Sequence, residues 1–155
     1  MERFAVNMYI ESTIKAPRRG EAKAMWLIEF TKAPEQIFTR QGFVEFGDIT
    51  EDAVVLTAIA EGLSILTKQC EIRIFTRARH VFSTLKSSKN ADLRCRKWLS
   101  ASEKSIKNAP LWEIVTHMLE KHEWEITDDH HSFQKYMESE LKRWQRASSK
   151  QKQTN

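Results

Sequence analysis

Residues 70–108 hold 10 lysines and arginines against 3 acids, and part of that charge is gathered around a tryptophan. Arg94, Arg96 and Lys97 precede Trp98, and Lys104 and Lys107 follow it. Cations at this density displace the counterions of a phosphate backbone, while an exposed aromatic ring stacks on a base or packs against a sugar. The segment carries +7 and the rest of the chain −3, which together give the net +4. A basic stretch in an otherwise slightly acidic chain implies a local polyanion contact; the plainer alternative is a solvated helix face. Elsewhere, Asp128, Asp129, His130 and His131 bring together metal-ligating types. Adjacent side chains point in different directions, however, and this cluster reads as an exposed polar loop. Cys70 and Cys95 match no zinc spacing and read as buried free thiols.

The elements that must position these groups follow from periodicity. Phe4, Val6, Met8 and Ile10 alternate with other residues, which predicts a strand ending near Glu11. A turn at Pro17-Arg18-Arg19-Gly20 leads to two further β-like stretches, residues 22–30 and 36–46, separated by Pro34. Three antiparallel strands joined by short turns is the economical reading. Asp48-Ile49-Thr50-Glu51 has the form of a capping box, and Val54, Val55, Ala58, Ile59, Leu63 and Leu66 then recur at helical spacing. Residues 71–76 predict a short strand, and Val81, Phe82 and Leu85 a brief helix. Residues 92–99 predict another short helix, bearing the basic cluster. Pro110 opens a helix at a position where its missing N–H costs little. Residues 124–126 predict a strand and 132–145 a last helix, with residues 148–155 left as a polar mobile tail.

The chain has 155 residues, the size of one compact unit, with 41% hydrophobic and 30% charged residues and only 4 glycines and 3 prolines. Collagen-like, low-complexity and wholly disordered classes are excluded. The longest nearly apolar run, residues 53–60, falls short of the ~18 residues that a membrane span requires. The opening residues lack an apolar core and cleavage site, so the expectation is a soluble, cytoplasmic monomer with no membrane contact. The order of elements implies a mixed sheet covered by helices, within one domain over residues 1–147.

The stretch from Lys97-Trp98 through Lys107-Asn108-Ala109-Pro110-Leu111-Trp112 resembles type I ribonuclease H, which has a basic helix, a Trp, and a Lys-Asn pair leading into Leu-Trp at a helix start. The order of elements agrees from Tyr9 to about Leu141. The resemblance implies an α/β fold, a mixed five-stranded sheet flanked by helices. It also implies a cluster of carboxylates holding divalent metal for phosphodiester hydrolysis. Glu11 takes the place of the family's Asp at the end of the first strand. Asp52 and Glu61 keep the interval between two family acids on the long helix, continued by Gly62-Leu63. Where the fourth strand of the family ends in Thr-Asp-Ser, this chain has Thr76-Arg77-Ala78. Glu138, Ser139 and Glu140 are alternatives for the last acid, with Glu140 carried as the catalytic candidate. His130 and His131 are counterparts of a mobile-loop histidine, with His130 carried forward.

Arg77 changes what the resemblance implies, because a guanidinium is always cationic and has no lone pair to offer a metal. Beside Glu11 and Asp52 it supplies fixed positive charge where the family places Mg²⁺ or Mn²⁺. The expected function is therefore recognition of an RNA–DNA hybrid or RNA duplex with lost or impaired cleavage, through Arg94, Arg96, Lys97, Trp98, Lys104 and Lys107. The alternatives are an active ribonuclease H with an altered metal site on Glu11 and Asp52, and a non-catalytic scaffold for an unknown protein partner. Asp52 also has a purely structural explanation, since the helix macrodipole favours an acid in the first turn by about 0.3–1 kcal/mol.

Overall fold

The computed structural model describes the backbone of residues 4–16, 18–33, 36–88 and 108–154, and the side chains among these except 32, 33, 88 and 145–154. The elements are β1 (Phe4–Ser12), β2 (Arg19–Ala33), β3 (Gln36–Thr50), α1 (Glu51–Ser64), β4 (Cys70–Phe75), α2 (Arg79–Ser88), α3 (Ala109–Leu119), β5 (Glu123–Thr127) and α4 (Gln134–Thr154). The strands form one five-stranded sheet in the order β3-β2-β1-β4-β5. β1 and β3 flank β2 antiparallel, whereas β1–β4 and β4–β5 are parallel. This is the expected mixed sheet flanked by helices.

Alternation along β1 explains why it lies at the centre. Val6, Met8 and Ile10 face one layer, built from α1, α2 and α3 with Trp112 at its heart. Tyr9 faces the other, where Met137 and Leu141 of α4 cover Met25 and Leu27 of β2. A strand buried on both faces needs apolar residues on both, and β1 supplies them until Glu11. In α1, Val54, Val55, Leu56, Ala58, Ile59 and Leu63 are all buried, so the helix is apolar nearly all round. Trp112 is fully buried, and its truncation to Ala is worth about 3–5 kcal/mol on the usual scale.

Several boundaries differ from the sequence reading. β2 and β3 are longer than expected, because their pairing continues beyond the stretch whose faces are buried. The cap of α1 is Thr50, whose Oγ1 accepts from the Ala53 N–H at 3.3 Å. Asp48, expected to cap, is instead bound by Arg19 at 3.1 Å across the β2–β3 pair. Helix α4 runs from Gln134 to Thr154, past the end expected at residue 145. α3 starts after Asn108, which adopts φ 66°, a left-handed conformation that Asn tolerates better than most residues. Among the described residues, no helix is long and apolar enough to cross a membrane. The helix expected over residues 92–99 lies outside the described residues.

Candidate functional site

Parallel pairing of β1 and β4 fixes the first two site residues. The register ends with Tyr9 opposite Phe75, so two residues further along each chain Glu11 and Arg77 emerge side by side at the carboxyl ends of the central strands. Such ends are the usual ligand crevice of α/β sheets. The turn after β1 is fixed by the Ser12 hydroxyl, which donates to the Ile14 carbonyl at 2.6 Å and accepts from the Ile14 N–H at 3.0 Å. The turn after β4 is fixed by the Thr76 hydroxyl, which accepts from the Ala78 N–H at 3.2 Å.

Glu11 is only 5% exposed, and each of its carboxylate oxygens faces a nitrogen. Arg77 Nη2 lies 3.5 Å from Oε2, and His131 Nε2 lies 3.2 Å from Oε1. The same guanidinium nitrogen donates to Glu138 Oε1 at 2.8 Å, so Arg77 bridges β1 and α4. Glu138 also accepts from Gln134 at 3.3 Å and lies 3.8 Å from Lys15 Nζ. Partial burial alone would push the Glu138 carboxyl up. The Gln134 hydrogen bond and the charges of Lys15 and Arg77 outweigh this and hold it below the usual carboxylate range. His131 is buried beneath the site, stacked on the Tyr9 ring at 4.4 Å between centroids. Glu11, Arg77, Lys15 and Ser12 line a cleft of about 170 Å³.

Asp52 is not part of this cluster. Its Oδ2 is bound by His80 Nδ1, and it lines a neighbouring cleft of about 360 Å³ together with Arg18, Arg19 and Asn108. Next to it, burial and the Asp52 charge push the Glu51 carboxyl up, against the opposing pull of His80. The expected contact of Arg77 with Glu11 is therefore present, whereas Asp52 takes His80.

The other candidates separate by geometry. Glu140 pairs with Arg143 at 3.3 Å, one turn along α4, and Glu138 is the α4 acid at Arg77. Two residues rotate a helix by about 200°, so these two acids cannot share a face. Similarly, His130 is exposed with its Nδ1 2.7 Å from Gln134 Oε1, and His131 is the histidine at Glu11. Sequence reasoning named Glu138 and His131 among its alternatives, but periodicity carries no signal for a ring turned inward in a loop. Glu61 is exposed on α1, and Asp128 and Asp129 are exposed after β5. No group of three or more His, Cys, Asp or Glu that could hold a metal ion occurs among the described residues. Cys70 is a buried free thiol whose pKa burial pushes up. Arg94, Arg96, Lys97, Trp98, Lys104 and Lys107, with Cys95, lie outside the described residues.

The mixed sheet, with α1 on one face and α4 on the other and acids at the ends of parallel strands, defines the ribonuclease H-like class of fold. A type 1 RNase H, the LC9-RNase H1 with the type 2 active-site motif, superposes with a TM-score of 0.70 at 18% identity, covering 90% of this chain and 71% of that one. The foamy viral protease-reverse transcriptase in complex with an RNA/DNA hybrid superposes with a TM-score of 0.55 at 13% identity over 84% of this chain and 18% of that one. In sequence, the chain is 30% identical over 77 residues to a ribonuclease H of Clostridium botulinum, covering 50% of this chain and 52% of the relative. The matched stretch thus spans about half the length of that relative. No protein-family model matches the chain. The chain thus has a ribonuclease H-like fold and is similar in sequence to the ribonuclease H family over about half its length.

That family implies divalent metal held by carboxylates, and the side chains here do not fit one. Both oxygens of Glu11 face nitrogens, Glu138 is bound by Arg77, and Asp52 is bound by His80. A divalent ion about 4 Å from the Arg77 guanidinium would meet a repulsion of roughly 8 kcal/mol at an effective dielectric of about 20. A millimolar site contributes only about 4 kcal/mol. The repulsion is the larger, and the site as built holds a cationic side chain in place of an ion.

Proposed function

We propose that this chain is a nucleic-acid-binding ribonuclease H-like domain that recognises an RNA–DNA hybrid or RNA duplex, with metal-dependent cleavage impaired by Arg77. The observation that carries the reading is the Arg77 guanidinium between Glu11 and Glu138, at 3.5 and 2.8 Å. The +7 charge of residues 70–108 supports binding, and the fold that it shares with a reverse transcriptase solved on an RNA/DNA hybrid supports the substrate class. A-form duplexes are recognised mainly by shape and 2′-OH contacts, so the domain discriminates poorly among sequences.

The test uses an end-labelled RNA–DNA hybrid with Mg²⁺ or Mn²⁺, comparing wild type with Glu11→Gln on a denaturing gel. Retention without cleavage is the expected result, with affinity falling steeply as salt rises. If the five cations that surround Trp98 each meet a phosphate, the log–log slope is about −4 to −5. Cleavage by wild type that is lost in Glu11→Gln would establish the altered-site nuclease instead. No retention at low salt would leave the protein scaffold.

A further inference from the structure

Strand β3 forms one edge of the sheet, and no backbone hydrogen bond to its outer side occurs among the described residues. Exposed edges invite pairing with another strand, and proteins blunt them with lysine, proline, bulges or short length. β3 has none of these over most of its course. It runs 15 residues, contains neither Lys nor Pro, and departs from regular register with β2 only beyond Phe46 and before Ile37. It also exposes three large apolar side chains, Ile37 at 56%, Phe38 at 55% and Phe46 at 40%.

The sequence of this edge is complementary to itself. In a two-fold antiparallel pairing, opposed residues share a face of the sheet, so only registers centred on a residue are allowed. Centring on Gly42 places Phe38 against Phe46 of the partner subunit, and Phe46 against Phe38 of the partner subunit. Both rings lie on the face that Val44 turns to the core, so two aromatic pairs close the ends of the joined edge. No like charges meet: Arg40 faces Val44 of the partner subunit, and Glu45 faces Thr39 of the partner subunit. The neighbouring registers lose both aromatic pairs. Centring on residue 41 sets Phe38 against Val44 of the partner subunit, and centring on residue 43 sets it against Asp48 of the partner subunit.

We propose that the chain forms a two-fold dimer by antiparallel pairing of β3 with β3 of a second copy, centred on Gly42, in place of the monomer expected from sequence. Two five-stranded sheets then become one continuous sheet. The joined edge is small beside standard interfaces, so the dimer is weak and concentration-dependent.

Sedimentation of the full chain without nucleic acid, from about 1 to 200 µM, tests this over the range in which weak dimers form. The expected result is a rise from 18.2 kDa toward about twice that mass. Phe38→Lys, with its fold checked by circular dichroism, should raise the dissociation constant at least about tenfold through loss of the aromatic pairs. Register is tested separately with Cys95→Ser as background. The double variant Thr39→Cys/Glu45→Cys, opposed across the axis in this register, keeps both aromatic pairs and should oxidise to a covalent dimer, while either single cysteine should not. A constant 18.2 kDa at the highest concentration, or equal cross-linking by the single variants, would overturn the proposal.

Discussion

Replacing Arg77 by Asp tests the central electrostatic argument. In the wild type the guanidinium neutralises Glu11, which is nearly inaccessible, and ties it to Glu138 on α4. Removing it leaves Glu11 with His131 alone, a loss of about 1–3 kcal/mol for a charged acceptor stripped of a donor. Placing a carboxylate there adds a like-charge repulsion, of roughly 4 kcal/mol at about 4 Å before protonation relieves it. Arg77 is 33% exposed, and solvent screening reduces both figures, so a total of about 2–4 kcal/mol is expected in EDTA. For a chain of this size, that lowers the melting temperature by roughly 4–16 °C. The same variant assembles hard oxygen ligands and removes the opposing cation. With a dissociation constant ten- to a hundredfold below about 10 mM Mg²⁺, the ion returns about 1.4–2.7 kcal/mol. The assay is thermal unfolding by far-ultraviolet circular dichroism in EDTA and in Mg²⁺, on wild type, Arg77→Asp and Arg77→Leu. Wild type and Arg77→Leu should ignore the metal, and Arg77→Asp alone should be stabilised by it. An Arg77→Asp protein as stable as wild type in EDTA and unresponsive to Mg²⁺ would refute the placement of charge at this site.

Gly42→Ala should cost about 1–3 kcal/mol in urea unfolding, because its Cβ would lie 2.5 Å from a ring that is itself packed in the core. Gly62→Ala should stay within about 1 kcal/mol of wild type, since its nearest neighbour is the flexible end of Met8 at 3.3 Å and helix propensity favours Ala. His122 Nδ1 accepts from the Cys70 N–H at 3.0 Å and must be unprotonated to do so, and burial with the nearby Lys121 charge lowers its pKa. The unfolded state therefore binds the proton more readily, so this contribution is full above about pH 6.5 and is lost as pH falls through the lowered value. His122→Gln should flatten unfolding free energy against pH over that window, and an unchanged profile would count against the hydrogen bond.

The order of elements along the chain was readable because alternation in β1 and the apolar run of α1 are forced by burial on two sides. The start of β3 was readable too, but its extension over residues 47–50 and both ends of β2 were not, because exposed residues such as Gly47 and Asp48 follow no burial pattern. Thr50 and Asp48 both have capping side chains, and what separates them is Arg19, which claims Asp48 from across the sheet. At the site, Glu11 and Arg77 were legible as a pair only through the resemblance to type I ribonuclease H; what brings them together is the parallel register of β1 and β4. The choice of Glu138 over Glu140 depends on the rotational phase of α4, set by Met137 and Leu141 against the sheet. His131 over His130 depends on a loop conformation that leaves no trace in composition.

Because the backbone register alone holds residues 11 and 77 together, a change of side chain at residue 77 alters the chemistry of the crevice without altering the fold. The cations proposed to grip nucleic acid, Arg94 to Lys107, lie further along the chain than Arg77, so the two properties need not fail together. On the proposed function, a cation in the carboxylate cluster opposes metal-dependent hydrolysis, while counterion release by Arg94, Arg96, Lys97, Lys104 and Lys107 needs no metal. Binding and cleavage should then respond to separate substitutions. Arg77→Asp should leave the salt slope of hybrid retention within about one unit of wild type, whereas Arg96→Ala and Lys97→Ala together should reduce its magnitude by about two. If Arg77→Asp instead flattens the slope as much as the paired substitution does, Arg77 is itself a phosphate contact, and the site belongs to the binding surface.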